Sequence, residues 1–129
     1  MCSEIKAKDL PSVMALSYLG DARHSLYVRK KLVANGISKS KELNEAAKKY
    51  VTAEAQAKMF SLVEDELTEL EKGVARRASN STHLNKPKHA SGKDYRLATG
   101  FEAVIGMLEF INDVERLEYL LDLAHKEDE

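Results

Sequence analysis

One cysteine, two prolines and no tryptophan occur among the 129 residues of this chain. A lone cysteine, Cys2, excludes an internal disulfide, a CxxC redox pair and a Cys-rich zinc site. No apolar run approaches the roughly 18 residues that a membrane span needs. No charged-then-apolar leader opens the chain either, so a cytoplasmic protein with no membrane partner is expected. Val and Ile are scarce, 12 against 31 Ala and Leu. β-branched residues suit strands, whereas Ala and Leu favour helix. The balance of 20 Lys and Arg against 21 Asp and Glu leaves a net charge of -1, which argues against an evenly basic nucleic-acid binder and leaves room for a locally basic one. Apolar residues make up 43% of a length that suits one domain with one core. Residues 1–129 therefore read as a single all-α domain.

Local signals predict where the helices begin and end. The first eight residues look frayed. Asp9-Leu10-Pro11 then offers a helix start, with Pro tolerated in a first turn. The helical pattern continues to Val33, where Asn35-Gly36 supplies a left-handed stop. Ser38 or Ser40 is suited to cap a second helix through about Tyr50, and Thr52 a third to about Val63. Glu64-Asp65-Glu66 interrupts the pattern, and a fourth helix follows from Thr68 to Arg77. Residues 78–93 read as a long exposed loop, and long loops in compact domains are usually functional or disordered. A fifth helix spans Asp94 to Ile111. Asn112 caps the last one, with Val114, Leu117, Leu121 and Ala124 as its apolar stripe.

Charge is segregated along the chain. Lys72, Arg76, Arg77, Lys86, Lys88 and Lys93 fall in a stretch without an acid, whereas eight acids and two bases follow from Glu109 onward. A basic loop on a near-neutral domain suits contact with a phosphate backbone, and it equally suits a solvated surface loop. His83 and His89 in the same stretch have no metal-ligand spacing with another His or Cys, which argues against zinc.

Two acids sit where acids are rare. Asp21, in Tyr18-Leu19-Gly20-Asp21-Ala22, and Glu102, in Phe101-Glu102-Ala103-Val104-Ile105-Gly106, each fall mid-helix among apolar neighbours. Ionised carboxylates are seldom buried unless paired or bound to a metal. Either each has a basic partner, such as Arg29 or Arg96, or the two face one another across a cation. Gly20, Ala22, Ala98, Ala103 and Gly106 beside them suit a close approach of two helices. Such an approach would let the acids share a hard ion such as Mg²⁺.

These two segments resemble the paired signature helices of the ribonuclease III catalytic domain. Tyr27-Val28-Arg29, Val51-Thr52-Ala53 with Gln56-Ala57, Arg76-Arg77 with Asn80, Pro87-Lys88, and Tyr95-Arg96 with Thr99 match in the same order, over roughly Leu10 to Leu123. The short length, without a double-stranded-RNA-binding domain behind it, narrows the resemblance to the Mini-III ribonucleases. It implies an all-α homodimeric helical bundle that cleaves double-stranded RNA with Mg²⁺. The implied substrate is precursor 23S ribosomal RNA in a ribosomal setting, where a ribosomal protein is a potential partner. By the same resemblance Asp21 and Glu102 are the catalytic acids and metal ligands, and hydrolysis leaves a 5′-phosphate and a 3′-hydroxyl. Arg76, Arg77, Asn80, Lys86, Lys88 and Lys93 are the RNA-contacting candidates, suited to a duplex read by shape and phosphates.

The chain departs from the wider family at informative positions. Ser17 and Thr99 stand where full-length ribonuclease III carries further acids, as in the Mini-III branch, so waters or RNA phosphate must complete the metal shell. Ala78-Ser79 replaces a Gly-Arg in the basic motif, and Ser25 replaces a Glu one turn after the aspartate. The thin acid set leaves a second reading, a non-catalytic ribonuclease III-like module that binds structured RNA or the ribosome. Leu10, Val13, Met14 and Leu16, or apolar residues of the fifth helix, are the candidates for a two-fold seam, unless they fill the monomer core.

Overall fold

A computed structural model describes residues 6–81 and 91–126. Among them are six α-helices and no strand: α1 (Val13–Ala34), α2 (Ser40–Val51), α3 (Ala53–Val63), α4 (Glu69–Asn80), α5 (Gly92–Phe110) and α6 (Val114–Ala124). Short 3-10 turns at Ala7–Asp9 and Glu64–Glu66 complete the path. No helix of the described residues is long and apolar enough to cross a membrane.

Side-chain caps start most of the helices. The Thr52 hydroxyl accepts the Ala55 N–H at 3.1 Å, as the sequence predicts. Thr68 and Glu71 form a reciprocal capping box on α4. Elsewhere the start moves. Ser12, not the Asp9-Leu10-Pro11 stretch, caps α1 by accepting the Ala15 N–H at 3.1 Å, so Pro11 precedes the helix. Ser40 is the first residue of α2 rather than its cap. Asn112 does not cap α6. Its φ of 61° ends α5, a left-handed role that Asn tolerates, and Asp113 caps α6 instead. Gly36, with φ 94°, plays the predicted stop after α1.

The loop expected over 78–93 is shorter at both ends. Ala78, Ser79 and Asn80 form the last turn of α4, and Gly92 and Lys93 the first turn of α5. Ala78 is wholly buried, and the Ser79 hydroxyl donates to the Arg96 carbonyl at 2.9 Å, holding that turn against α5. Residues 82–90, with Lys86, Lys88, His83 and His89, lie outside the described residues, as do residues 1–5 of the stretch read as frayed.

Helix α5 is the axis of the bundle. Ala98 to Phe101 and Ala103 to Leu108 are all buried, so the middle of the helix is enclosed by its neighbours, which suits its nearly unbroken apolar run. It packs against α1, α3, α4 and α6. α1 meets it along one stripe, Leu16, Gly20, His24, Val28 and Leu32, spaced at four residues. Gly20 and Gly106 make the crossing possible. A methyl group on Gly20 would strike the Glu102 carbonyl, and one on Gly106 would strike the Leu16 carbonyl. The backbones therefore touch without intervening side chains.

Polar clamps tie the helices to one another. Arg23 of α1 reaches Glu109 of α5 at 3.0 Å and Glu118 of α6 at 2.7 Å. Arg116 grips both oxygens of the buried Glu71 at 3.0 and 2.8 Å and also donates to the Glu66 carbonyl. This bidentate geometry satisfies a carboxylate that would otherwise be left charged in the core.

Candidate active site

The glycine crossing determines which side chains meet. Asp21 follows Gly20 on α1, and Glu102 offers its own carbonyl to Gly20 from α5. The two carboxyl groups are hydrogen-bonded to one another, Asp21 exposed at the surface and Glu102 half-buried behind it. The Ser17 hydroxyl lies 3.3 Å from Glu102 Oε1 and 3.5 Å from the Thr99 carbonyl. Thr99 turns its own hydroxyl to the Tyr95 carbonyl at 2.8 Å. From α3, the buried Gln56 amide lies 3.2 Å from His24 Nδ1 on the core side of the pair.

Burial pushes the Glu102 carboxyl up to about 8, and the neighbouring Asp21 charge and hydrogen bond push the same way. Hydrogen bonds from Gln56 and Ser17 to the ionised form oppose them without prevailing. Among the described residues neither acid has a salt bridge to Lys or Arg, and both Arg29 and Arg96 are exposed. Near neutral pH the pair therefore holds a proton between them. A hard cation could take that proton's place.

The chain belongs to the ribonuclease III domain family, which matches residues 14–111. It is similar to several Mini-III ribonucleases. It is 42% identical over 110 residues to the Mini-ribonuclease 3 of Streptococcus pneumoniae, covering 84% of this chain and 86% of that one. It is 40% identical over 113 residues to the Mini-ribonuclease 3 of a Thermoanaerobacter species, covering 88% and 80%. The crystal structure of a Fusobacterium nucleatum protein superposes with a TM-score of 0.85 at 26% identity, covering 97% of this chain and all of that one. The resemblance read from the signature helices is thus borne out, and the chain is an endoribonuclease of the ribonuclease III type. Enzymes of this family act on double-stranded RNA and are generally metal-dependent.

Other predicted residues of the ribonuclease III motifs lie on α4 and at the start of α5. Arg76, Arg77 and Asn80 are exposed on the last turns of α4, and Lys93 is exposed on the first turn of α5. The end of α4 abuts α1, with the Ser81 hydroxyl 3.4 Å from the Met14 sulfur. Met14 precedes Asp21 by two helical turns, roughly 10 Å along the axis. Leu16 is in the core and unavailable for a two-fold seam, and Leu10 and Val13 pack against that core. Met14 stays exposed, as does Tyr18, 83% accessible and not among the expected seam residues.

Sequence reasoning missed the polar residues behind the pair. Gln56 was matched only as part of a motif, and His24 and His125 not at all, yet all three are buried. The available signal was periodicity, because His24 falls on the buried four-residue stripe of α1.

Protonation of the pair has a measurable consequence in the metal-free protein. Between the ordinary carboxyl value of 4.5 and about 8, the folded state binds a proton at Glu102 that the unfolded chain releases. Stability from this group is therefore lost as pH rises through that interval. Buried His24, pushed down to about 3, acts oppositely, but only below its ordinary value of 6.5. Above that point Glu102 acts alone of the two. Thermal melts without metal are expected to show Tm falling from about pH 6.5 to about pH 8, with the slope reduced in Glu102→Gln. An equal slope in that variant would assign the loss to another group.

Proposed function

We propose that this chain hydrolyses double-stranded RNA in a Mg²⁺-dependent reaction at Asp21 and Glu102, leaving a 5′-phosphate and a 3′-hydroxyl. We further propose that it acts as a cytoplasmic homodimer on precursor 23S ribosomal RNA, with a ribosomal protein as accessory partner. The observation that carries the reading is the meeting of two carboxyl groups at a glycine crossing, without a salt bridge to either among the described residues.

The donor set fits the ion. Mg²⁺ commonly takes one or two carboxylates and fills the remaining positions with water and phosphate oxygens. No cluster of three or more His, Cys, Asp or Glu suited to a metal occurs among the described residues, so weak binding in the absence of RNA is expected. When bound, the ion would make its water easier to deprotonate and would neutralise charge on the phosphodiester oxygens. Exposed Asp21 is the acid that meets the incoming backbone. Glu102 gives up the shared proton and is held in place by Ser17.

Arg76, Arg77, Asn80 and Lys93 flank residues 82–90, which contain Lys86 and Lys88, and these six are proposed to grip RNA phosphates. Replacing Arg76, Arg77, Lys86 and Lys88 by Ala together is expected to weaken duplex binding. It should also flatten the salt dependence by roughly one unit of log–log slope per lost phosphate contact. An unchanged slope in a filter-binding or anisotropy titration would place the RNA elsewhere. Cutting both strands requires two hydrolytic centres, which a two-fold dimer supplies. Exposed Met14 and Tyr18 on α1 are the apolar residues proposed for its seam.

The direct test is cleavage of a long RNA duplex, and of a 23S precursor, in Mg²⁺ or in EDTA. Mg²⁺-dependent products with 5′-phosphate ends support the proposal. Both RNAs remaining whole in Mg²⁺ would overturn it.

A further inference from the structure

We propose that the cleft between the C-terminal half of α1 and the start of α2 holds a backbone phosphate of the RNA duplex a few nucleotides from the cut, with Arg29 as its charged wall. The proposal rests on the reading of Asp21 as the acid at the scissile bond.

Two parallel rows run along α1. Gly20, His24, Val28 and Leu32 belong to its buried stripe. The residue after each of them gives Asp21, Ser25, Arg29 and Val33, which share one edge of the helix because side chains four apart lie above one another. The acid and the guanidinium therefore face the same side. Eight residues of helical rise put them roughly 12 Å apart along the axis. Arg29 is exposed and makes no salt bridge among the described residues, with Asp21 or with any other acid.

A cleft of about 250 Å³ opens at the Arg29 end of this edge, between α1 and α2. Leu32, Leu43 and Ala47 form its more buried side, while Arg29, Ser40 and Asn44 line it as exposed residues. The apolar residues seat α2 on α1. The exposed ones are a guanidinium fork, a hydroxyl and an amide, all donors that suit phosphate oxygens. The hydroxyl and the amide also accept, which suits the 2′-hydroxyl of an adjacent ribose.

The surrounding charge has the matching sign. From Arg23 to Lys49 the chain has eight Lys or Arg and only two acids, Glu42 and Glu45, a second basic segment apart from the one at 72–93. Acids engage Arg23 and Lys48. Lys30, Lys39 and Lys41, chain neighbours of Arg29 and Ser40, are exposed. Such a surface attracts a polyanion. The end of α4 reaches α1 at Met14, on the other side of Asp21 along the helix. A duplex held both there and in the cleft would be centred on the acid pair.

Binding titrations of an RNA duplex in EDTA, over a range of salt concentrations, test the cleft. Arg29→Gln is expected to weaken binding by about tenfold, the scale of a hydrogen bond to a charged group. It should also lower the log–log salt slope by roughly one unit, whereas Arg29→Lys, which keeps the charge, should keep the slope. Asn44→Asp sets a carboxylate on the facing helix and should weaken binding through repulsion of the phosphate. Both side chains are exposed, so these variants should fold, which a thermal melt checks. Wild-type affinity and slope in both Arg29→Gln and Asn44→Asp would overturn the proposal and leave the basic surface to an acidic protein partner. A loss confined to Arg29→Gln would overturn the cleft as the site.

A neutral methylphosphonate moved along the duplex backbone locates the contact. At one position it should weaken binding to the wild type and cost Arg29→Gln nothing further. Independent losses at every position would overturn the assignment. Because these titrations need no cleavage, a chain that bound RNA without cutting it would fail the proposed reaction and still pass this test, so the two failures are distinguishable.

Discussion

Asp21→Asn is expected to lower the rate of duplex RNA cleavage by roughly 10³-fold or more while the protein stays folded. A bound ion contributes several kcal/mol of charge stabilisation to phosphodiester hydrolysis, and each ~1.4 kcal/mol corresponds to a factor of ten in rate. Asn keeps the shape of the side chain but removes the exposed carboxylate of the acid pair at the crossing. The fold should tolerate the change, because Asp21 is exposed and its carboxylate disfavours the ionised form of Glu102. Removing that repulsion leaves burial as the main force holding the Glu102 proton. The measurement is single-turnover cleavage at saturating Mg²⁺, alongside a thermal melt and a binding titration with the same duplex. Lost cleavage with retained folding and binding assigns the acid to the chemistry. A variant that cuts at the wild-type rate would refute that assignment.

The second large effect falls on the crossing itself. Gly20→Ala is expected to destabilise the protein by about 3 kcal/mol, at the upper end of typical overpacking costs. The added methyl group meets the Glu102 backbone carbonyl and the Gly106 nitrogen rather than the movable end of a side chain. Relief requires α1 and α5 to separate, and separation pulls Asp21 away from Glu102. Activity at permissive temperature should therefore fall with stability. Gly73→Ala is the control. Its methyl group would meet only the tip of Arg77, at 3.3 Å, so the gain in helix propensity should make it neutral to slightly stabilising. Denaturant unfolding of the two variants checks the contrast. Equal effects would mean that the Gly20 contact does not set the helix spacing.

These two expectations depend on features of different visibility. Glycines 20 and 106 stand out in the sequence because glycine inside a helix has a cost, and a close packing contact is the usual compensation. The acids stand out because each interrupts an apolar run. Helix starts at Thr52 and Thr68 were legible for a related reason, since a cap bonds an N–H only three residues away. Where neighbouring residues compete for one role, local rules separated them poorly. Asn112 and Asp113 both suit a helix end, and the chain uses one to leave α5 and the other to enter α6. The limits of the 78–93 stretch were misjudged because α4 gains its last turn from burial of Ala78 against α5, a contact that composition does not reveal.

The sequence by itself determined an all-α chain, its family, and a pair of acids on helices able to approach closely. Periodicity, caps and glycine placement act over a few residues and are written locally. Only the tertiary structure decided how those acids are held. Ser17 and Glu102 lie 85 residues apart, Gln56 and His24 lie 32 apart, and His24 and His125 lie 101 apart. Their geometry follows from the crossing of α1 with α5 and the seating of α3 and α6 beside it. The same packing buries Leu16 and leaves Tyr18 outside, although both lie on one short stretch of α1. Burial also makes Glu102 a stronger holder of its proton than any property of its neighbours in the chain would indicate, because the cost of ionisation depends on what surrounds the carboxyl group in space.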